Sequence, residues 1–215
     1  MLNEEHEETQ AVKDNAFLSW LQENGAVFDK ILWPTTATES GSRGAVAVVE
    51  IPRFSPIIEI PERLMMTPPQ AERLPDIGHV FRENASLLRN DSALALYIMH
   101  EIIKGESSFY SPFLRILPRP HTVADWPPSA QAALQDPALR QRALASARHR
   151  RTLYERTFHA LETRYPGLFR RERYSFALFD FAWGTIEARA FGRRLPWSAL
   201  VPMADLFNHG NVPSK

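Results

Sequence analysis

The chain has 215 residues, 44% of them hydrophobic, and its 25 basic and 25 acidic side chains balance to zero net charge. That length holds one domain, or one domain with an inserted subdomain, around a core of ordinary size. Zero net charge gives no general attraction to nucleic acid or to an anionic membrane, so neither is expected as a partner.

The charge is nevertheless uneven. The first ten residues, MLNEEHEETQ, are acidic, whereas residues 140–173 hold ten arginines. An acidic, arginine-free start does not read as a transit peptide, and no apolar stretch reads as a secretion signal. No apolar run approaches membrane-spanning length. The expected setting is a soluble, intracellular one, cytoplasm or nucleus. The absence of cysteine excludes disulfides, thiolate zinc sites and a cysteine nucleophile together. The seven histidines include no i, i+4 pair, so no metal site is expected.

In chain order, an acidic flexible tail over 1–14 leads into a short helix within 11–24. Asp14 or Asn15 is its expected cap, Phe17, Trp20 and Leu21 share one face, and Gly25 ends it. A breaker-rich loop, WPTTATESGSRG, precedes two short β-rich runs, GAVAVVEI (44–51) and SPIIEI (55–60), predicted to pair as a hairpin. A Pro-Pro break follows at 68–69. From 91 the period becomes helical: Leu94, Tyr97, Ile98 and Ile102 recur on one face, with Asp91 or Ser92 at the start and Gly105 at the end. Residues 106–137, rich in proline and aromatics, read as an ordered loop with short helical turns. A long helix is predicted over about 138–164, with Leu153, Tyr154, Phe158 and Leu161 inward, arginines outward and solvated, and Pro166-Gly167 closing it.

The stretch SFALFDFAWGTIEARAF (175–191) reads as a buried helix, apolar nearly all round. Arg189 falls on the inward face with Ala182 and Ile186. A buried guanidinium needs an anion, here either Asp205 or a ligand's carboxylate. On spacing alone the ion pair comes first. The tail then reads as a short strand, SALVPM, turning into ADLFNH. Three readings of Asp205, Asn208 and His209 compete: turn chemistry; hydrolysis, weak because no nucleophile elbow is present; and a pocket for a zwitterion, where a carboxamide and carbonyls take an ammonium and Arg189 a carboxylate. Spacing alone favours turn chemistry.

Four stretches, in order, change that balance: SGSRGAVAVVEIPRFSPIIEIPERLMMT, ALALYIMHEIIKGESSFYSPFLRILP, FDFAWGTIEARAF and LVPMADLFNH. They resemble the SET-domain methyltransferases, in the class of the Rubisco large-subunit and actin-histidine methyltransferases. The resemblance implies an α+β chain: a SET β-fold of short strands and hairpins with an inserted helical subdomain. Residues 15–90 would form the N-terminal helix and first β-segment, 91–173 the inserted subdomain, and 174–215 the SET helix and cofactor loop.

By the same resemblance the cofactor is S-adenosylmethionine. The turn holding Gly41, Arg43 and Gly44 would contact it through backbone; the family carries an acid where this chain has Gly41. Arg189, in the RAF stretch, would take its carboxylate. Asn208 and His209 would clamp its aminoacyl end and adenine edge, and Asp205 would support their loop. The implied activity is protein N-methylation of a lysine, or secondarily a histidine, on a protein substrate. The alternative is a catalytically silent SET-like binding module. The family pattern continues past the NH stretch into further strands, a channel-lining tyrosine and a substrate-binding domain. That tyrosine is expected beyond Lys215, so no catalytic residue is assigned within these 215 residues, and the fold is expected to be C-terminally incomplete.

Overall fold

The computed structural model describes residues 9–36, 41–192 and 195–208. The elements run α1 (Gln10–Glu23), β1 (Ile31–Thr35), β2 (Gly44–Ala47), α2 (Pro68–Ala71), α3 (Gly78–Glu83), α4 (Asp91–Lys104), α5 (Ser111–Leu114), α6 (Pro128–Ala132), α7 (Pro137–Arg164) and α8 (Phe176–Arg189). Single 3₁₀ turns stand at Glu62–Leu64, Gly105–Ser107, Val123–Asp125 and Ala204–Leu206. The chain condenses into two compact units. The described residues up to 65, 109–116 and those from 200 onward make the first; 66–108 and 117–199 make the second.

In the first unit, α1 begins one residue earlier than its periodicity suggests. Thr9 is the N-cap, its hydroxyl accepting from the Val12 amide, so neither Asp14 nor Asn15 serves as cap. Gly25, at φ 76°, follows the helix in a conformation that suits glycine. Phe17, Trp20 and Leu21 are buried as expected. The Phe17 ring packs edge-on to Trp33 at 5.5 Å and stacks on Phe113 at 6.0 Å. Tyr110 closes this cluster by donating to the carbonyls of Arg63 and Met65, each at 3.2 Å.

The hairpin expected within 44–60 does not form. β2 pairs instead with β1, antiparallel, in the register Ile31↔Ala47, Leu32↔Val46 and Thr35↔Gly44, with an irregularity between Leu32 and Thr35. The 48–58 stretch cannot sustain a ladder: Pro52 and Pro56 have no N–H to donate, and Phe54 turns the backbone at φ 68°. Residues 55–60 contribute only the bridge between Glu59 and Val27.

The second unit is built on α4, whose residues Ala93 to Glu101 are all buried and which packs against α8 and α2. Asn90, at φ 41°, precedes it without a side-chain cap, so the expected Asp91 or Ser92 cap is not made. Gly105 ends it at φ 59°, as expected. The Pro-Pro pair at 68–69 starts α2 rather than breaking the chain; a first-turn proline loses no helical hydrogen bond.

A polar chain crosses this apolar core. His100 meets the Tyr174 hydroxyl through Nδ1 at 2.8 Å and the Asp76 carboxylate through Nε2 at 2.7 Å. The Tyr154 hydroxyl donates to the Tyr174 carbonyl at 2.8 Å. Burial pushes the Tyr174 phenol up to about 12. Burial is the largest single influence on the Asp76 carboxyl and would raise it, but the hydrogen bond and charge of His100, with the Ile77 amide, together hold that group below its ordinary value.

Asp136 caps α7 by accepting from the Ala138 and Leu139 amides, and Pro137 fills the first turn. Leu153, Tyr154, Phe158 and Leu161 point inward, as expected. The arginines do not all point outward: Arg150 is buried. α8 is capped by the Ser175 hydroxyl. Its buried face is Phe179, Ala182, Gly184, Thr185 and Ile186, while Leu178 and Phe181 are only half-buried. The all-round burial expected of this helix is therefore not met. Among the described residues, no helix is long and apolar enough to cross a membrane, and no cluster of three His, Asp or Glu could hold a metal ion.

Candidate functional site

The first half of the site is the turn leading into β2. Gly41 sits at φ 67° with open space where a Cβ would point, so its role is conformational. The Arg43 guanidinium contacts Asp14 Oδ1 at 2.5 Å and lies 4.9 Å from the centroid of the Trp33 ring. Asp14, 4% exposed on α1, also accepts from Gln10 at 2.9 Å. A carboxylate this far from water needs such partners, and the half-exposed guanidinium gains a stacking surface on the indole. Arg43 thus ties the turn to α1 and β1. With its side chain so engaged, its backbone is what remains for a ligand.

Sequence reading missed both Asp14 and Trp33 as parts of this device. A signal existed. Asp14, Phe17 and Leu21 fall at i, i+3 and i+7, so an acid lies on the buried face and calls for a cationic partner.

The second half is the loop after Ala199. Ala199, Leu200 and Met203 are fully buried anchors. The strand expected over SALVPM contracts to the two bridging residues Ala199 and Leu200, and Ala199 and Phe191 exchange backbone hydrogen bonds at 2.8 Å each. Pro202 has no N–H, and Met203 adopts φ 69° and ψ −47°, which a side-chain-bearing residue holds only under compulsion from its surroundings. That reversal starts the 3₁₀ turn Ala204–Leu206, in which Asp205 is half-buried, and brings the chain to Asn208.

There the two halves meet. A Cβ on Gly44 would collide with the Asn208 side chain, reaching its amide nitrogen, its Cγ at 2.8 Å and its Oδ1 at 3.0 Å. The glycine lets the carboxamide lie directly over the first residue of β2. Asn208 is itself exposed and presents both an acceptor and two donors. The structure therefore unites Gly41, Arg43, Gly44, Asp205 and Asn208 in the first unit. Arg189 belongs to the second unit, as the half-buried last residue of α8, where a cation also complements the helix dipole. His209 lies outside the described residues.

No protein-family model matches the chain, and no curated protein matches it. Solved structures do. The SET domain of LSMT bound to lysine and AdoHcy superposes with a TM-score of 0.77 at 24% identity, covering 97% of this chain and 46% of that one. Rubisco LSMT bound to AdoMet gives 0.72 at 25% identity, covering 93% and 45%. The LSMT SET domain bound to methyllysine and AdoHcy gives 0.74 at 26% identity, again covering 93% and 45%. This chain is similar to these SET-domain methyltransferases over nearly all its residues and spans about half their length. Its α+β fold is theirs, as the sequence resemblance implies.

Proposed function

We propose that the chain carries the cofactor-binding part of an S-adenosylmethionine-dependent protein N-methyltransferase that acts on lysine. The observation that carries this reading is the seating of Asn208 on Gly44, which joins the two motifs that the SET resemblance assigns to the cofactor. Structures similar to this chain contain AdoMet, AdoHcy or sinefungin, and also lysine, methyllysine or monomethyllysine. Those ligands support both the cofactor and the lysine target.

The residues present suit the cofactor's aminoacyl end. The lack of a side chain on Gly44 lets the Asn208 carboxamide sit against the start of β2, and from there, exposed, it can accept from an ammonium through Oδ1 and donate through Nδ2. The backbone of 41–44, held by the Arg43–Asp14 pair, forms the other wall. Arg189 would take the carboxylate with its forked donors, His209 the adenine edge, and Asp205 would steady the turn before Asn208. When bound, S-adenosylmethionine supplies a methyl group on a sulfonium, open to in-line attack by an amine. The part left to these residues is positioning, which in such displacements supplies much of the rate.

Titration calorimetry with S-adenosylhomocysteine tests this reading. The chain should bind it, and Asn208→Ala and Arg189→Ala should each weaken binding by about tenfold or more. A chain that binds no S-adenosylhomocysteine, or variants with unaltered affinity, would overturn the assignment.

A further inference from the structure

The second unit holds a cavity that the cofactor reading does not use. It has a volume of about 500 Å³ and lies between the first turns of α8, α7 and the segment around Pro120. Its size falls within the range of small-molecule sites. One wall is fixed by close packing: a Cβ on Gly184 would strike the Pro120 ring at 2.7 Å, so the 119–120 segment is pressed against α8 and Arg119 is held at the rim.

The polar floor centres on Arg150, 2% exposed. Its Nη1 meets Asp180 at 3.0 Å, while Nη2 faces Asp125 at 3.8 Å and donates to the Thr122 hydroxyl at 3.3 Å. One buried guanidinium between two carboxylates leaves a net negative charge, which the exposed Arg119 at the mouth balances.

The two acids differ. Asp125 accepts from both the amide and the hydroxyl of Thr122, at 2.9 and 2.7 Å; burial opposes its ionisation most strongly, but these bonds, with the charges of Arg150 and Arg119, keep the carboxyl below its ordinary value. Asp180 has no such support, and burial raises its carboxyl despite Arg150. It is therefore the acid with acceptor capacity to spare, and its half-buried carboxylate is open to the cavity. Between it and Arg119 the lining is apolar: Phe176, Leu178 and Phe181.

We propose that this cavity binds a small zwitterion with an apolar side chain, of the class of free hydrophobic amino acids. Its ammonium lies on Asp180, its carboxylate on Arg119 and its side chain against Phe176, Leu178 and Phe181. The charges match in number and sign, and the ligand carries no net charge into a lining that is itself neutral. Asp180 is roughly 14 Å along α8 from Arg189, so this site is separate from the residue assigned to the cofactor.

The test is titration calorimetry with L-phenylalanine, its amide and its N-acetyl derivative. Phenylalanine should bind, and each blocked form, lacking one charge, should bind at least tenfold more weakly. Arg119→Gln, at an exposed position, should keep the melting temperature and lose the preference for the free carboxylate. Asp180→Asn should lose the preference for the free ammonium. Saturation with S-adenosylhomocysteine should leave phenylalanine affinity unchanged. Equal binding of the three probes, no binding at millimolar concentration, an unchanged preference in Arg119→Gln, or competition with S-adenosylhomocysteine would each overturn the proposal. S-adenosylhomocysteine binding, measured in the same series, reports separately on the cofactor site.

Discussion

One methyl group separates Gly44 from a working contact with Asn208. In Gly44→Ala the new Cβ would occupy the space of the carboxamide, so Asn208 must swing away and carry its donors and acceptor with it. We expect S-adenosylhomocysteine affinity to fall by about tenfold or more, with little change in melting temperature, because Asn208 is exposed and free to move. Unchanged affinity would show that the carboxamide's position over β2 does not matter for binding. Arg43 acts on stability instead. Its removal leaves the buried Asp14 with the Gln10 hydrogen bond but no cation, and an under-satisfied buried carboxylate costs about 1–3 kcal/mol. Urea unfolding of Arg43→Ala should show a loss in that range. Adding Asp14→Ala should then cost less than it does alone, since the stranded charge goes with it. Strictly additive losses would mean that the 2.5 Å contact carries no coupling.

The helices were legible because their signals are local. α4, α7 and α8 each show helical periodicity over 14 residues or more, and the residues that end them, such as Gly105, act within one turn. β1 was not legible, because Trp33-Pro34 sits in a breaker-rich run and its strand character comes only from pairing with β2. The family resemblance assigns Gly44 and Asn208 each to the cofactor, but their contact with one another was not legible, because they lie far apart in the chain. Arg150 was misread as solvated, because helical phase cannot show that Asp125 and Asp180 wait on neighbouring elements. The polar chain through α4 was missed for the same reason: Asp76, His100 and Tyr174 come from three separate segments. Its consequence is an alkaline limit on stability. The Tyr174 phenol is raised from 10.0 to about 12 in the folded state. The folded state therefore holds this proton more tightly than the unfolded chain. The contribution is fully present below pH 10 and is lost as pH rises towards about 12, amounting to about 2–3 kcal/mol. Chemical denaturation at pH values from 9 to 12 should show this decline, and Tyr174→Phe should flatten it. An equally steep decline in the variant would assign the effect to other groups.

At the scale of the molecule, the chain path constrains how the units fold. The first unit is discontinuous: its core needs residues 109–116, which the second unit's sequence flanks on both sides. Phe113 is fully buried against Phe17, and Phe109 and Tyr110 pack on Trp20 at 5.4 and 6.1 Å. α5 is also the element that α1 contacts most among the helices. The second unit has its own core, in which α4 packs on α8 and Phe158 and Phe179 pack on Tyr154. Replacing residues 109–116 with eight glycine and serine residues should therefore remove the α5-side apolar partners of α1, leaving Phe17 with Trp33, while the partners of α4, α7 and α8 stay in place. Buried aromatics are worth about 3–5 kcal/mol each when truncated, so losing the two buried ones, Tyr110 and Phe113, takes most of what a unit of this size can spare. Hydrogen exchange should then show α1 amides exchanging as in an unfolded chain and α4 and α8 amides still protected. If protection of α4 and α8 collapsed together with α1, the two units would be one cooperative body, with stability shared across both cores.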